Sequence, residues 1–412
     1  MAAPMPETAA RAAAAAPAPK RASRGLMLLL VGLTALAPFS LQVFLPALPV
    51  IQADFRVTPA VAQLVLSLSI LASAFAMLAY GPLSDRFGRR PVLLAGLVAF
   101  AAGSVFCALA PSVGTLIGGR VVQAVGAAAG MVLARAIVRD LHDRESSASV
   151  IAYLTTAMVV APMLAPTLGA VLIDLASWRT IFALTALVGV AVIWQTSRQL
   201  VETRAGGAIG GGAPVPMWAG AGRLLRTPAF LAYAVQSSFA IAVFFAFISG
   251  APYFMLDVLH RPATEYGLYF ILVSAGFMAG NLLAARITAR VGLDRMILIG
   301  SALALAATLL ALALLALGPW VPIALFGPML GAAFANGLTV PNAQAGAISV
   351  DPLLAGSASG LAGFLQMFTA ALVSQAVGAL QNGTPYPMIA FMTVCAVLSF
   401  AGFVLPRRWA ER

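Results

Sequence analysis

The chain has 412 residues, of which 61% are hydrophobic and only 9% charged. Ordinary soluble domains carry about 25% charged residues, so most of this chain must have lipid, not water, as its solvent. The formal charge of +11 raises the question of nucleic acid, but the basic residues fall in short segments between apolar runs and form no single stripe.

A bilayer core of about 30 Å takes about 20 apolar residues as a helix, and a helix satisfies its own backbone there. The apolar runs are long and continuous, without the alternation of a β-barrel. In chain order, residues 1–24 begin with an Ala/Pro-rich stretch and read as a disordered tail ending in Lys20, Arg21 and Arg24. The apolar run that follows has no clear small-residue cleavage site, so it is an uncleaved first span and not a signal peptide. Spans are expected near 26–48, 60–82, 91–110, 113–135, 148–172 and 178–199. A second set is expected near 229–252, 265–288, 295–317, 320–343, 356–380 and 385–405. The longest polar break, residues 201–228 with a Gly206–Gly212 cluster, reads as a flexible linker. It divides a six-helix bundle at 25–200 from a second at 229–406, with a short tail at 407–412. The fold class is therefore an all-α polytopic membrane protein, with twelve transmembrane helices in two pseudo-symmetric six-helix bundles.

Basic residues set the orientation. With the N-terminus inside, twenty of the 24 Lys and Arg are cytoplasmic, Arg56, Arg179 and Arg261 are outside, and Arg120 lies within a span. Both termini are expected in the cytoplasm, and nucleic acid is set aside. Cys107 and Cys395 each sit in an apolar run without metal-ligand neighbours and read as packing residues. His142 and His260, the only histidines, fall on opposite sides of the membrane, and no G-x-x-x-x-G-K-[ST] loop is present. No catalytic cluster, cofactor or metal is expected, and the chain does not read as an enzyme.

The loop between the second and third spans reads Gly81-Pro82-Leu83-Ser84-Asp85-Arg86-Phe87-Gly88-Arg89-Arg90-Pro91. Gly81 and Gly88 suit strained backbone positions, and Pro91 suits the first turn of a helix. Asp85 can face a helix N-terminus or pair with an arginine. A partial echo, Arg290-Val291-Gly292-Leu293-Asp294-Arg295, keeps the glycine spacing in the second half and suggests an ancient duplication. In the fourth span, Arg120 would cost about 2.5–3.5 kcal/mol in lipid and so needs a partner or a wet cavity, with Gln123 on its face. In the fifth, Pro162, Pro166 and Gly169 permit a helix bend and close packing.

These stretches resemble the major facilitator superfamily. The Gly81–Arg90 loop meets every fixed position of its motif G-x-L-x-D-R-x-G-R-[RK]. The stretch from Arg120 to Ala129 looks like its motif B, and Ala165-Pro166-Thr167-Leu168-Gly169-Ala170 resembles its antiporter motif with two glycines replaced by alanine. Phe44-Leu45-Pro46-Ala47-Leu48-Pro49, Trp178-Arg179 with Phe182, and Pro341-Asn342-Ala343 are similar to the Bcr/CflA-like drug-resistance exporters. The resemblance implies a cytoplasmic gate built from Gly81, Asp85, Arg86, Gly88, Arg89 and Arg90. Asp85 would cap the start of the eleventh span near Asp351–Ser357, and Arg89 would engage Asp140. Related exporters usually carry an acid just before Leu-Pro-x-Leu-Pro; here Gln42 stands in that place. Proton coupling is therefore left to Arg120 or Asp174 as candidates, or to no group at all.

The resemblance implies a substrate cavity between the halves at the bilayer midplane, as the handling of such repeats in secondary transporters requires. Candidate lining residues are Phe39, Gln42, Arg120, Gln123, Tyr153, Gln236, Phe239, Tyr269, Asn336, Asn342 and Gln366. The expected function is export of small apolar or weakly polar molecules by rocker-switch alternating access across a bacterial inner membrane, with proton antiport. A uniporter or a symporter for a metabolite stays open, as does a non-transporting receptor or scaffold. The expected partners are a small-molecule substrate, protons and the lipid bilayer, with the chain acting as a monomer.

Overall fold

The computed structural model describes residues 24–141, 154, 163–203, 217–351 and 354–410. Among the described residues eleven helices are long and apolar enough to cross a membrane. In sequence order they are the first to fourth spans (Gly25–Phe55, Pro59–Phe87, Arg89–Ala108, Val113–Leu141) and the sixth (Trp178–Gln199). The second half holds the seventh to twelfth (Pro228–Val258, Ala263–Val291, Leu293–Leu317, Pro322–Ser349, Ala355–Ala379, Tyr386–Leu405). A shorter apolar helix, Met163–Leu175, lies on the expected fifth span. No strand occurs among the described residues. The architecture is an all-α, multi-pass membrane fold.

Local chemistry explains where these helices start and break. Pro59, Pro228 and Pro322 each open a helix, where a missing N–H costs nothing. Ser177 caps the sixth span by accepting from the Arg179 N–H. The first span is not one continuous helix: it runs Arg24–Gln42, passes through a short tight turn at Leu45–Ala47, and resumes over Leu48–Phe55. A proline clashes with the carbonyl four residues before it. Pro46 therefore ends the helix at Gln42, and this interruption fixes where Gln42 sits.

The loop echo seen in the sequence is also a structural echo. Gly88 has φ 94° and ψ 155°, and Gly292 has φ 90° and ψ 144°, a backbone state that residues with a Cβ rarely adopt. Gly81, expected at a strained position, is instead an ordinary member of the second helix, which continues to Phe87. The helix needs no break there because a single positive-φ residue at Gly88 makes the turn.

The second span packs on the fourth and the eleventh on the seventh, and the second and eleventh pack on each other across the two halves. The buried apolar core is distributed unequally along the bundle. At the end away from the arginine-rich loops, one continuous core joins both halves, from Val43, Leu66 and Trp178 to Phe247, Phe326 and Met392. At the basic end the core splits: Leu33, Leu97 and Leu133 belong to a cluster of the first half alone, and Phe230, Ala347 and Ala362 to one of the second. The buried apolar core is thus shared by the halves at one end and divided between them at the other.

Candidate functional site

A cavity of about 260 Å³ lies between the halves where the common core divides. Both halves line it. Ala37, Pro38, Leu41 and Gln42 come from the first span, Ile70, Ser73 and Met77 from the second, and Met131 from the fourth. Phe244 and Phe245 of the seventh span, Phe270, Val273, Ser274 and Phe277 of the eighth, Asn336 of the tenth and Met367 of the eleventh face them. Among the described residues, no charged side chain is in this wall. The Asn336 Nδ2 donates to the Ala240 carbonyl at 3.0 Å, while its Oδ1 and the Gln42 Oε1 have no partner.

Gln42 and Asn336 are the two expected cavity residues that the structure places in the wall. Arg120 and Gln123, expected there, are packed inside the first half instead. The Gln123 amide donates to Ser104 Oγ at 2.7 Å and Thr185 Oγ1 at 3.1 Å, and its oxygen accepts from Arg120 Nη1. The Arg120 guanidinium lies 3.9 Å from the Phe44 ring centroid and donates to the Ser40 carbonyl at 3.3 Å. Ring faces and carbonyls thus solvate the charge that a wet cavity was expected to solvate. Gln236 likewise bonds Ser301 and Ser399 within the second half. Asn342 donates to Leu338 of its own helix, and Gln366 accepts from Gln344. Phe39, Phe239 and Tyr269 are half-buried against the common core and are not in the wall. Tyr153 and Pro162 lie outside the described residues. The phenylalanines and methionines of the wall escaped sequence reasoning because a hydropathy pattern cannot separate an apolar cavity face from a lipid face.

At the basic end, Arg89 organises the loop. Its Nε meets Asp140 Oδ2 at 3.0 Å, and its Nη1 meets Asp85 Oδ1 at 2.8 Å and Ser84 Oγ at 2.6 Å. Asp85, expected at the start of the eleventh span, has this pair within its own loop. Asp351, beside that start, meets Arg223 at 3.2 Å. Arg223 belongs to a short linker helix, Met217–Leu224. Glu202, missed in the sequence, accepts from the backbone N–H of Arg89 at 2.9 Å and of Arg90 at 3.1 Å. A carboxylate at a helix N-terminus satisfies orphan donors and meets the positive end of the helix dipole. Its signal was an acid just after a span, facing an arginine-rich loop. Arg90 also donates to the Ser197 carbonyl, and Arg86 lies over the Phe87 ring.

The far end is closed by polar bonds between the halves. Gln63 donates to Ser249 Oγ at 3.0 Å and Ser374 Oγ at 2.7 Å. Ser67 donates to Gln375 Oε1 at 2.6 Å, and Gln375 donates to the Ala60 carbonyl at 3.0 Å. Asp174 accepts from the Thr264 N–H at 3.1 Å and from its hydroxyl. Pro166 is buried, and a Cβ at Gly169 would collide with the Val43 carbonyl, so the fifth-span helix packs closely on the interrupted first span.

Two helical bundles, joined at one end and enclosing an uncharged cavity, define the class of a membrane transporter. The model of the Major Facilitator Superfamily matches residues 30–374, and the chain belongs to that family. It is 30% identical to an uncharacterized MFS-type transporter, YdgK, of Bacillus subtilis, over 92% of this chain and 94% of that one. It is 28% identical to a bicyclomycin resistance protein homolog of Haemophilus influenzae, over 90% and 93% of the two chains. The multidrug resistance protein MdtL of Escherichia coli is 29% identical over 91% and 94%. Among solved structures, an inward-facing, occupied bacterial homolog of the lysosomal transporter spinster shares the fold with a TM-score of 0.73 at 18% identity, covering 93% and 96%. The nucleoside transporter NupG does so with 0.75 at 14%, covering 92% and 99%. The chain is therefore a multi-pass transporter and not an enzyme, and the resemblance read from its motifs is the family it belongs to.

Proposed function

We propose that this protein exports small, uncharged or weakly polar molecules from a bacterial cytoplasm by alternating access, with its basic end in the cytoplasm. One observation carries the reading: an apolar cavity shared by both halves, at the place where their common core divides. The relatives named for bicyclomycin and multidrug resistance support a drug-like substrate. In the cycle, the far-end bonds of Gln63, Ser67 and Asp174 break as the halves rock. The Arg89, Asp85 and Asp140 cluster at the basic end serves as the gate of the opposite face.

Proton antiport is the coupling proposed with it. Asp174, a carboxylate bonded across the two halves, is the candidate group for it. The second reading is uniport, favoured by Gln42, which cannot titrate, in a wall without carboxylates among the described residues. Purified protein in liposomes, assayed with a panel of aromatic drugs with and without a pH gradient, tests both. Flux driven by the gradient is expected; flux indifferent to it would leave uniport, and no flux with any compound would remove transport.

A further inference from the structure

The outward side of the sixth span changes character in its last turn. Leu187, Val190, Trp194 and Arg198 follow one another at helical spacing, and all four are exposed. Trp194 is 59% exposed, and the Arg198 guanidinium lies 5.0 Å from its ring centroid. Stacking leaves the in-plane N–H groups of a guanidinium free to donate. Among the described residues, Arg198 meets no carboxylate. An apolar stripe that ends in an indole and a cation matches the passage from acyl chains to headgroups.

A second arginine reaches the same turn from the third span. Arg90 Nη2 donates to the Ser197 carbonyl at 3.0 Å, one residue before Arg198. That bond fills an orphan carbonyl of the helix end, and the Arg90 guanidinium pairs with no carboxylate among the described residues. The acids nearby are committed. Glu202 accepts from the N–H groups of Arg89, Arg90 and Thr203, and Asp140 accepts from Arg89 and the Thr203 hydroxyl. The second half differs at the equivalent point. Counted from the paired turn glycines, Gly88 and Gly292, the counterpart of Arg90 is Asp294, which accepts from the Tyr233 hydroxyl at 2.8 Å. The bias of basic residues toward the cytoplasm acts on both loops alike, so it does not by itself put a base at one position and an acid at its equivalent.

We propose that Arg90, Arg198 and Trp194 form a binding site for the headgroup of an anionic phospholipid of the cytoplasmic leaflet. The phosphate accepts from the two guanidiniums, and an acyl chain follows Trp194, Val190 and Leu187 toward the membrane centre. A zwitterionic lipid brings its own ammonium group, which two arginines without acid partners repel, so a net negative headgroup is preferred. None of the three residues is in the cavity wall, and the site does not depend on what the cavity carries. A lipid held there ties the start of the third span to the end of the sixth, beside the Arg89 cluster.

The test is native mass spectrometry of the purified full chain, titrated with phosphatidylglycerol or with phosphatidylcholine of the same acyl chains. The wild type is expected to retain phosphatidylglycerol at about twentyfold lower concentration, about fivefold for each arginine beside an anionic headgroup. Arg198→Gln, which alters only an exposed side chain, and Arg90→Gln should each cut that preference about fivefold. Arg295→Gln, at a cytoplasmic arginine of the second half, should leave it intact. Equal retention of the two lipids by the wild type, a preference that survives Arg198→Gln, or an equal loss with Arg295→Gln overturns the site. Displacement of the retained lipid by free glycerol phosphate would overturn it too, because the acyl stripe would then add nothing to binding.

Discussion

At the scale of single residues, a charge in a membrane helix has to be solvated by something, and Arg120 shows two ways of doing it without a counter-ion. Its guanidinium stacks on Phe44 and bonds the Ser40 carbonyl and the Gln123 amide. A planar fork can stack and donate in several directions at once, which an ammonium cannot. Arg120→Lys is therefore expected to destabilise the protein by about 2 kcal/mol, the scale of a hydrogen bond to a charged group, seen as a lower thermal unfolding midpoint in detergent. Retained flux of an aromatic drug by that variant in liposomes would agree with a structural place for Arg120. Loss of flux at unchanged stability would return Arg120 to the cavity.

At the scale of elements, the third span is held at its start by one glycine and one acid. Gly88 is at φ 94°, and a Cβ there would stand 2.7 Å from the Glu202 carboxylate; Gly292, at φ 90°, has open space around the same point. Backbone strain alone costs about 1–3 kcal/mol at such a position. Gly88→Ala should therefore cost more stability than Gly292→Ala, because it both strains the turn and displaces the cap; equal losses in thermal melts would contradict this. Glu202→Ala should cost about 1 kcal/mol, the ordinary value of a lost helix cap. Because the cap also engages Arg89 and Arg90, this substitution should make limited proteolysis of the adjoining linker faster. The interrupted first span follows the same logic, since Pro46 places an unpartnered glutamine at the cavity by ending a helix.

At the scale of the whole molecule, the halves are joined at the far end by the neutral side-chain bonds of Gln63 and Ser67, beside the one to Asp174, over a shared apolar core. Such bonds are worth about 0.5–1.5 kcal/mol each, little enough for the contact to open and close within a transport cycle. Ser67 and Gln375 touch across the halves at 2.6 Å. With Ser67→Cys and Gln375→Cys together, oxidation is expected to join the halves and stop flux, and reduction to restore it. Cys107 and Cys395 are both buried, so they compete little for the oxidant. Continued flux through the cross-linked protein would rule out rocking about this contact.

The amino-acid sequence by itself determined the lipid-facing composition, the order of the spans, the loop glycine at 88 and its echo at 292, because each rests on local properties: run length, charge placement and backbone freedom. The family resemblance, carried by a motif whose residue types are few and specific, implied a pairing of Arg89 with Asp140, and the two lie 3.0 Å apart. Tertiary structure alone decided which face each polar side chain presents. Gln123 and Gln236 look as suited to a cavity as Gln42, yet the amide nitrogens of both donate to hydroxyls of neighbouring helices, while Gln42 stands at a broken helix end in the cavity wall. In a span that is apolar all round, helical period carries no label for lipid, neighbour or cavity. That label is written only by what packs against the helix.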